Sequence, residues 1–412
     1  MTLPATINVS LDLSTGATFG IPFTLDDTKN GILGTNVLAD QASYIVDLTP
    51  QTLKIAIRRG RNIARDTYEA GNITVRIDDP NSYFNPQNTN SPYYGQLTPL
   101  KKLRISATYG ATTYFLGSFY TTEYRYSYPT NQETGFVDIV GADAFRLFNL
   151  ASVLSITGAT AGQDTGARIG KILDAMSFPS SMRALDSGNT NCLVDPATLR
   201  TGLEALKNAE FSEQGAFYIN PQGTAVFKNR TNTIKSGNGS PLEFNQTTGI
   251  PYAKLIFAFD DKLIINTVTM NKNGSAGYTY FDTASIAKYF PHANNFSDLV
   301  MQTDADVQNA ASIYVNTRKE TTLRIDQMDV DLLDPAVPTA TILDMDYFTN
   351  VKITNVQPDG STIVKNLQIQ GVAWDITANS MKASFTTLER ITDGFIVGSS
   401  TYGVLGQDII AY

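Results

Sequence analysis

The feature that most constrains this chain is a period of two. Leu53, Ile55 and Ile57 alternate with Lys54, Ala56 and Arg58, and Ile73, Val75 and Ile77 alternate with Thr74 and Arg76. Leu103, Ile105 and Ala107 repeat the pattern. Successive side chains on a strand point to opposite faces, so such runs read as half-buried strands of an antiparallel sheet. An aromatic-rich run from Tyr114 to Tyr128 and a strand at Phe136 to Val140 complete a set of five. Five such strands suit one antiparallel barrel or sandwich ending near residue 145. The link from Asp78 to Pro99 carries Pro80, Pro86, Pro92 and Pro99 and is too rich in Pro and Asn for a strand, which predicts an ordered excursion over the surface.

From about residue 150 the period changes. Asp164 or Thr165 can cap a helix with Ile169, Ile172, Leu173 and Met176 on one face, closed by Pro179. Asp195 before Pro196 reads as a second cap, opening a helix that buries Leu199, Leu203 and Leu206. A hairpin is predicted from Phe217–Ile219 and Thr224–Phe227 through Asn220 to Gly223, and Asn232 to Gly249 reads as a link. Strand patterns return at Lys254–Phe259, Ile264–Met270, Leu323–Ile325, Val351–Val356, Ile363–Ile369 and Met381–Thr387. Between them lies a helix capped by Thr303 or Asp304, with Val307, Ala310, Ala311 and Tyr314 inward.

The expected fold class is mainly β with α/β elements: two small antiparallel β-barrel domains, a helix-hairpin domain and a helical insert. The expected limits are 1–148 for the N-terminal β-barrel domain, 149–249 for the α/β helix-hairpin domain, and 250–275 with 322–392 for the second β-barrel domain. A helical insert is expected at 276–321 and a C-terminal extension at 393–412. The two barrel-like portions suggest an internal duplication, although no residue-level repeat marks it.

Charged residues make up 17% of the 412, below the roughly 25% of ordinary soluble domains. A surface so weakly charged suits a chain covered in an assembly, or an extracellular monomeric β protein. The net charge of −8 argues against gripping nucleic acid or an anionic membrane. No apolar run approaches a membrane span, so no membrane insertion by this chain is expected. The opening MTLPATINVSLDLSTG lacks the basic and apolar regions of a secretory signal.

Chemistry finds few candidates. One Cys and one His exclude an internal disulfide and a histidine cluster. The acidic pairs Asp78 and Asp79, Asp260 and Asp261, Asp329 and Asp331, and Asp344 and Asp346 could serve a glycosidase, but adjacent strand residues point apart and turn-shaping is the stronger reading. Asp304 and Asp306 lack the Gly and Glu of a calcium loop, which leaves helix capping. His292 and Cys192 have no partners near in sequence. Arg58, Arg59, Arg61 and Arg65 form the one basic cluster, read either as a polyanion contact or, better, as ion pairing with a neighbouring subunit. Gly71, at a strand start, is expected to supply a positive φ or a close approach, and Trp374 to be buried in the second barrel.

Several strings in order resemble the tail hub proteins (minor tail or baseplate hub proteins) of long-tailed bacteriophages. They begin with Val46-Asp47-Leu48-Thr49, Arg59-Gly60-Arg61, Ala70 to Val75, and Asp78-Asp79-Pro80 through Phe84-Asn85-Pro86. Leu203 to Leu206, Gly215 to Tyr218 and Gly223 to Phe227 are similar to the family's helix-plus-hairpin element. Asn266 to Asn309 and Val372-Ala373-Trp374-Asp375-Ile376-Thr377 follow, so the resemblance covers about residues 45 to 390.

The resemblance implies a homotrimer at the distal end of the phage tail in the virion, adapting the sixfold tube to threefold tip or fibre proteins. It implies as partners a distal tail protein, the tape measure protein and tail fibre or spike proteins, with DNA passing through without specific binding. Arg59, Gly60, Arg61, Gly71 and Trp374 are its structural and interaction residues. No enzymatic activity, cofactor or metal is implied, and with the chain ending at Tyr412 a C-terminal hydrolase extension is expected to be absent. The alternative reading is an extracellular carbohydrate-active β protein, a depolymerase or glycosidase.

Overall fold

A computed structural model describes residues 3–13, 45–62, 67–127, 135–235, 240–321 and 323–389. Among the described residues strands take 44% and helices 19%, which places the chain in the mainly β class expected of it. The first unit holds β1 (Thr6–Asp12), β2 (Ile45–Asp47), β3 (Thr52–Asn62), β4 (Thr67–Asp78), β5 (Lys102–Tyr109), β6 (Thr112–Ser127) and β7 (Phe136–Ala142). Alternation decides their faces: Ile55 and Ile57, Ile73, Val75 and Ile77, Leu103 and Ile105, and Val137 and Ile139 are all buried. Strand β1 follows the same rule through Ile7, Val9 and Leu11, a signal the sequence reading passed over. The Pro-rich link is an ordered run of turns, in which the buried Asp79 carboxylate accepts the Tyr83 and Phe84 amides at 2.8 and 2.9 Å.

The middle unit runs α1 (Phe145–Leu150), β8 (Ser152–Val153), α2 (Thr165–Ala175), β9 (Arg183–Leu185), β10 (Arg200–Thr201), α3 (Gly202–Glu213), β11 (Ala216–Ile219), β12 (Ala225–Lys228) and α4 (Arg230–Lys235). Asp164 caps α2 through the Ala167 amide, and β11 and β12 form the expected hairpin. The expected cap at Asp195 is not one. Its carboxylate accepts the Ala197 amide and pairs with Arg200, which closes a loop, and the helix starts later under Thr201. Leu199, expected inside, is 74% exposed.

The last unit comprises β13 (Leu242–Phe244), β14 (Lys254–Ala258), β15 (Thr267–Lys272), β16 (Tyr278–Phe281), α5 (Thr283–Tyr289), β17 (Ala293–Leu299), α6 (Asp304–Asn316), β18 (Arg324–Asp331), α7 (Thr339–Asp344), β19 (Asn350–Val356), β20 (Thr362–Thr377) and β21 (Ser380–Glu389). The strand expected at 264–270 does not join the second sheet unit. As β15 it pairs with β16 and β17 in a separate sheet, so the insert is α/β, not simply helical. Its own core of Val268, Met270, Leu299, Val307, Ala311 and Val315 explains this, since those apolar faces close on one another and on α6. Thr303 caps α6 in a full capping box with Asp306.

The remaining strands repeat the first unit. Across the sheet, β3-β4-β7-β6-β5 corresponds to β14-β18-β21-β20-β19, with every pairing antiparallel. The likeness reaches single residues. Leu100 and Phe348 both adopt left-handed backbone, at φ 66° and 67°, and donate their amides to Thr121 and Ile369. Immediately afterwards β6 bulges between Thr121 and Glu123, and β20 between Ile369 and Gly371. The alternation did announce two similar units, as expected. No ladder closes either unit on itself among the described residues; instead, β20 pairs with β3 and joins both units into one 13-stranded sheet over a common core.

Candidate functional site: the junction around Arg59

Arg59 and Arg61 flank Gly60, where the β20 ladder of β3 ends. Gly60 stands opposite Gly371, and Arg59 opposite Val372. With no Cβ on either glycine, the two strands approach closely: a Cβ on Gly60 would lie 2.8 Å from the Gly371 Cα. A lone Gly inside the pattern QIQGVAWD is the sequence signal that could have pointed to Gly371.

Arg59 turns inward, with its side chain 4% exposed, and its Nη2 donates to Asp346 Oδ1 at 2.8 Å. Its guanidinium lies 5.1 Å from the Tyr347 ring centroid, and among the described residues Nε and Nη1 find no acceptor. Burial opposes this charge, but Asp346, with Tyr347 and Asp143 behind it, outweighs burial and holds the guanidinium above its ordinary value. Its ion partner is therefore inside the chain, which corrects, for Arg59 alone, the expectation that the cluster pairs across a subunit boundary. Arg61 sits 5.9 Å from the Tyr68 ring, Arg58 is exposed, and Arg65 lies outside the described residues.

Three units meet at this point. Tyr68 from β4, Tyr218 from β11 and Tyr347 from the loop before β19 form a triangle of rings 5.0 to 5.4 Å apart. The Tyr68 hydroxyl donates to Gln370 at 2.6 Å, and burial raises the phenols of all three. Beneath them, the buried Asp143 accepts the Gly71 amide at 2.6 Å and the Phe145 amide at 2.9 Å, tying β4 to the start of α1. Burial pushes this carboxyl up to about 7, against those two hydrogen bonds and the charges of Arg59 and Lys207. Gly71 does not use a positive φ. Its role is the close approach, because a Cβ there would meet Arg59 Cγ at 2.9 Å and Asp143 Oδ2 at 3.0 Å. Trp374 is 3% exposed on β20, opposite Ile57.

The other candidates have local work. Asp260 binds Arg324 through both oxygens, at 2.7 and 2.9 Å, which pulls its carboxyl down to about 2. Asp329 accepts from Ser384 and Gln327, Asp331 accepts the Leu333 amide, and Asp304 pairs with Lys272. His292 Nε2 lies 3.0 Å from the Tyr289 carbonyl, and burial pushes the Cys192 thiol up to about 12. Of the acidic candidates only Asp346 reaches the junction. Asp143, Tyr68, Tyr218 and Tyr347, which complete it, were not singled out in the sequence, because residues from 68 to 347 meet there only through the tertiary fold. Among the described residues no group of three or more His, Cys, Asp or Glu could hold a metal ion, and no helix is long and apolar enough to cross a membrane. The arrangement is suited to fixing three units rigidly against one another.

No protein-family model and no curated protein matches the chain. Solved structures do match. The tail protein from Neisseria meningitidis MC58 has a TM-score of 0.51 at 11% identity, covering 84% of this chain and 93% of that one. The 43 kDa tail protein of prophage MuSo2 from Shewanella oneidensis has a TM-score of 0.53 at 12% identity, covering 84% and 96%. At such identities the likeness is one of fold, and at that level it bears out the resemblance to phage tail proteins read from the sequence.

Proposed function

We propose that this chain, whose fold is that of phage tail proteins, is a structural hub at the distal end of a tail. Three copies would form a ring that adapts the sixfold tube to threefold tip or fibre proteins. The observation that supports this most is the duplicated strand order, which gives each chain two similar units in one sheet. A trimer can offer six roughly equivalent docking surfaces only if each chain contributes two.

The partners of such a hub are a distal tail protein on one face, the tape measure protein inside, and fibre or spike proteins outside. DNA would pass through the lumen without specific binding, in keeping with the net charge of −8 per chain. The role is structural rather than enzymatic, and the polar junction around Arg59 serves to hold the two sheet units at a fixed angle. Mass photometry of the purified chain tests the ring: a mass of three chains is expected, and a monomer at micromolar concentration, with no ring in virion images, overturns it.

A further inference from the structure

Covered arginines in this chain come with a carboxylate: Arg59 holds Asp346, Arg200 holds Asp195 and Arg324 holds Asp260. Arg168, on α2, departs from that rule. It is 1% exposed, and among the described residues it reaches only neutral oxygens. Its Nε donates to Gln163 Oε1 at 3.3 Å, and its Nη2 donates to the Thr160 carbonyl at 3.1 Å and to the Leu193 carbonyl. Asp195 cannot serve it, because the two oxygens of that carboxylate already take Arg200 and the amides of Ile156 and Ala197. Burial accordingly holds the Arg168 guanidinium below its ordinary value; Cys192 and Asp195 do not make up the loss, and Arg200 adds to it. A buried charge without a counter-ion is costly, so a site that keeps one has a use for an outside anion.

The way in is present. Arg168 lines a cleft of about 260 Å³ between α2, α3 and the insert, which contributes Asn273 and Asp298. Its Nη1 has no acceptor among the described residues and, unlike the orphaned nitrogens of Arg59, is not sealed from solvent. The walls are fixed to each other: the Leu193 amide donates to the Val300 carbonyl at 2.7 Å, and the Val300 amide donates to Ser212 Oγ at 2.8 Å.

We propose that this cleft receives one carboxylate side chain, carried by an apolar segment of a protein partner, with Arg168 Nη1 as its donor. The cleft is smaller than the roughly 300–1,000 Å³ of sites that enclose whole small molecules, which suits a single side chain. Around its mouth the surface is apolar. Leu199 lines the cleft at 74% exposure, and Leu154, at 60%, stands beside it where the β8·β10 ladder ends. Val194, next to the Leu193 carbonyl that Arg168 binds, is 62% exposed. Three open aliphatic side chains beside a buried cation match an acidic residue flanked by apolar ones. Glu204 and Asp298, exposed at the cleft, repel a polyanion such as nucleic acid, while salt screens them from a lone carboxylate more than it screens the buried guanidinium.

Calorimetric titration of the full chain with N-acetyl-Leu-Glu-Leu-amide, N-acetyl-Leu-Gln-Leu-amide and sodium acetate tests the site. The Glu peptide is expected to bind on the order of ten-fold tighter than the Gln peptide, the worth of a charge-assisted hydrogen bond. Arg168→Met removes the cation and is expected to erase that preference. Should this variant fail to fold, Asn208→Asp, on a half-buried residue of the same cleft, carries the test: its own carboxylate is expected to raise the melting temperature and exclude the Glu peptide. Leu199→Ser is expected to weaken both peptides equally. A native chain that binds the two peptides alike, or neither, overturns the proposal, as does a preference that survives in Arg168→Met or Asn208→Asp. Acetate binding as tightly as the Glu peptide also overturns it, since the cleft would then be a site for free small carboxylates.

Discussion

Gly60 and Gly371 face each other across the ladder that joins the two sheet units, and neither leaves room for a larger neighbour. A Cβ on Gly60 would press on backbone, 2.8 Å from the Gly371 Cα and 3.3 Å from the Gln370 carbonyl, whereas one on Gly371 meets Thr386 and the Arg59 carbonyl at 3.2 to 3.3 Å. Gly60→Ala is therefore expected to cost about 1–3 kcal/mol, and Gly371→Ala less. Urea unfolding of both variants checks the order, and equal midpoints would contradict it.

Gly71 is coupled to Arg59 through space. Gly71→Val is expected to destabilise by about 1–3 kcal/mol, because Arg59 and Asp143 fill the position a side chain would take. In an Arg59→Ala background the cost of Gly71→Ala should shrink, since the obstructing Cγ is gone. A double-mutant cycle with no coupling would separate the two residues.

The Arg59 to Asp346 pair should respond unequally to its two deletions. Asp346→Ala leaves a buried guanidinium uncompensated and is expected to cost about 3–5 kcal/mol, while Arg59→Met, which replaces the charge with an apolar chain, is expected to cost less. Thermal melting at one pH ranks them.

Asp143 gives a pH signature. Its carboxyl is pushed up to about 7 by burial, from an ordinary value near 3.8. The folded state therefore binds more protons than the unfolded chain between about pH 4 and 7. The stability contribution is fully present below pH 4 and is lost as pH rises to 7, by at most on the order of 4 kcal/mol. The slope of stability against pH in this window should be less negative in Asp143→Asn than in the native chain. Parallel slopes would place the titration elsewhere.

Trp374 is the chain's one tryptophan, so its fluorescence reports this junction alone. Weak quenching by iodide in the native protein and a red shift on unfolding are expected. Strong native quenching would contradict its 3% exposure.

Alternation at Ile55 to Ile57, Ile73 to Ile77 and Leu103 to Ala107 made the sheet legible, because burying one face of a strand imposes that pattern whatever the partner. Caps were legible where a side chain serves its own backbone, as at Asp164 and Thr303. Asp195 carried the same signal and failed, because Arg200 claims its carboxylate. The β15 strand shows the other limit: Val268 and Met270 declare a strand but not the sheet it joins, which α6 decides. For the same reason the junction was visible only in part. Arg59, Gly60, Gly71 and Trp374 stood out as local anomalies, whereas Asp143 and the three tyrosines are ordinary until the packing of three units brings them together.

The β20·β3 ladder also orders events during synthesis. Strand β3 is made early, and its partner on β20 follows about 300 residues later, on the order of 15–60 s at 5–20 residues per second. Throughout that interval β3 is an open edge in a nascent chain, beside other chains growing on the same messenger. Lys54, Arg58, Arg59 and Arg61 lie along that strand, and positive charge on an edge discourages pairing with the wrong neighbour. The basic cluster would thus guard the strand against its own siblings until the C-terminal half emerges to claim it.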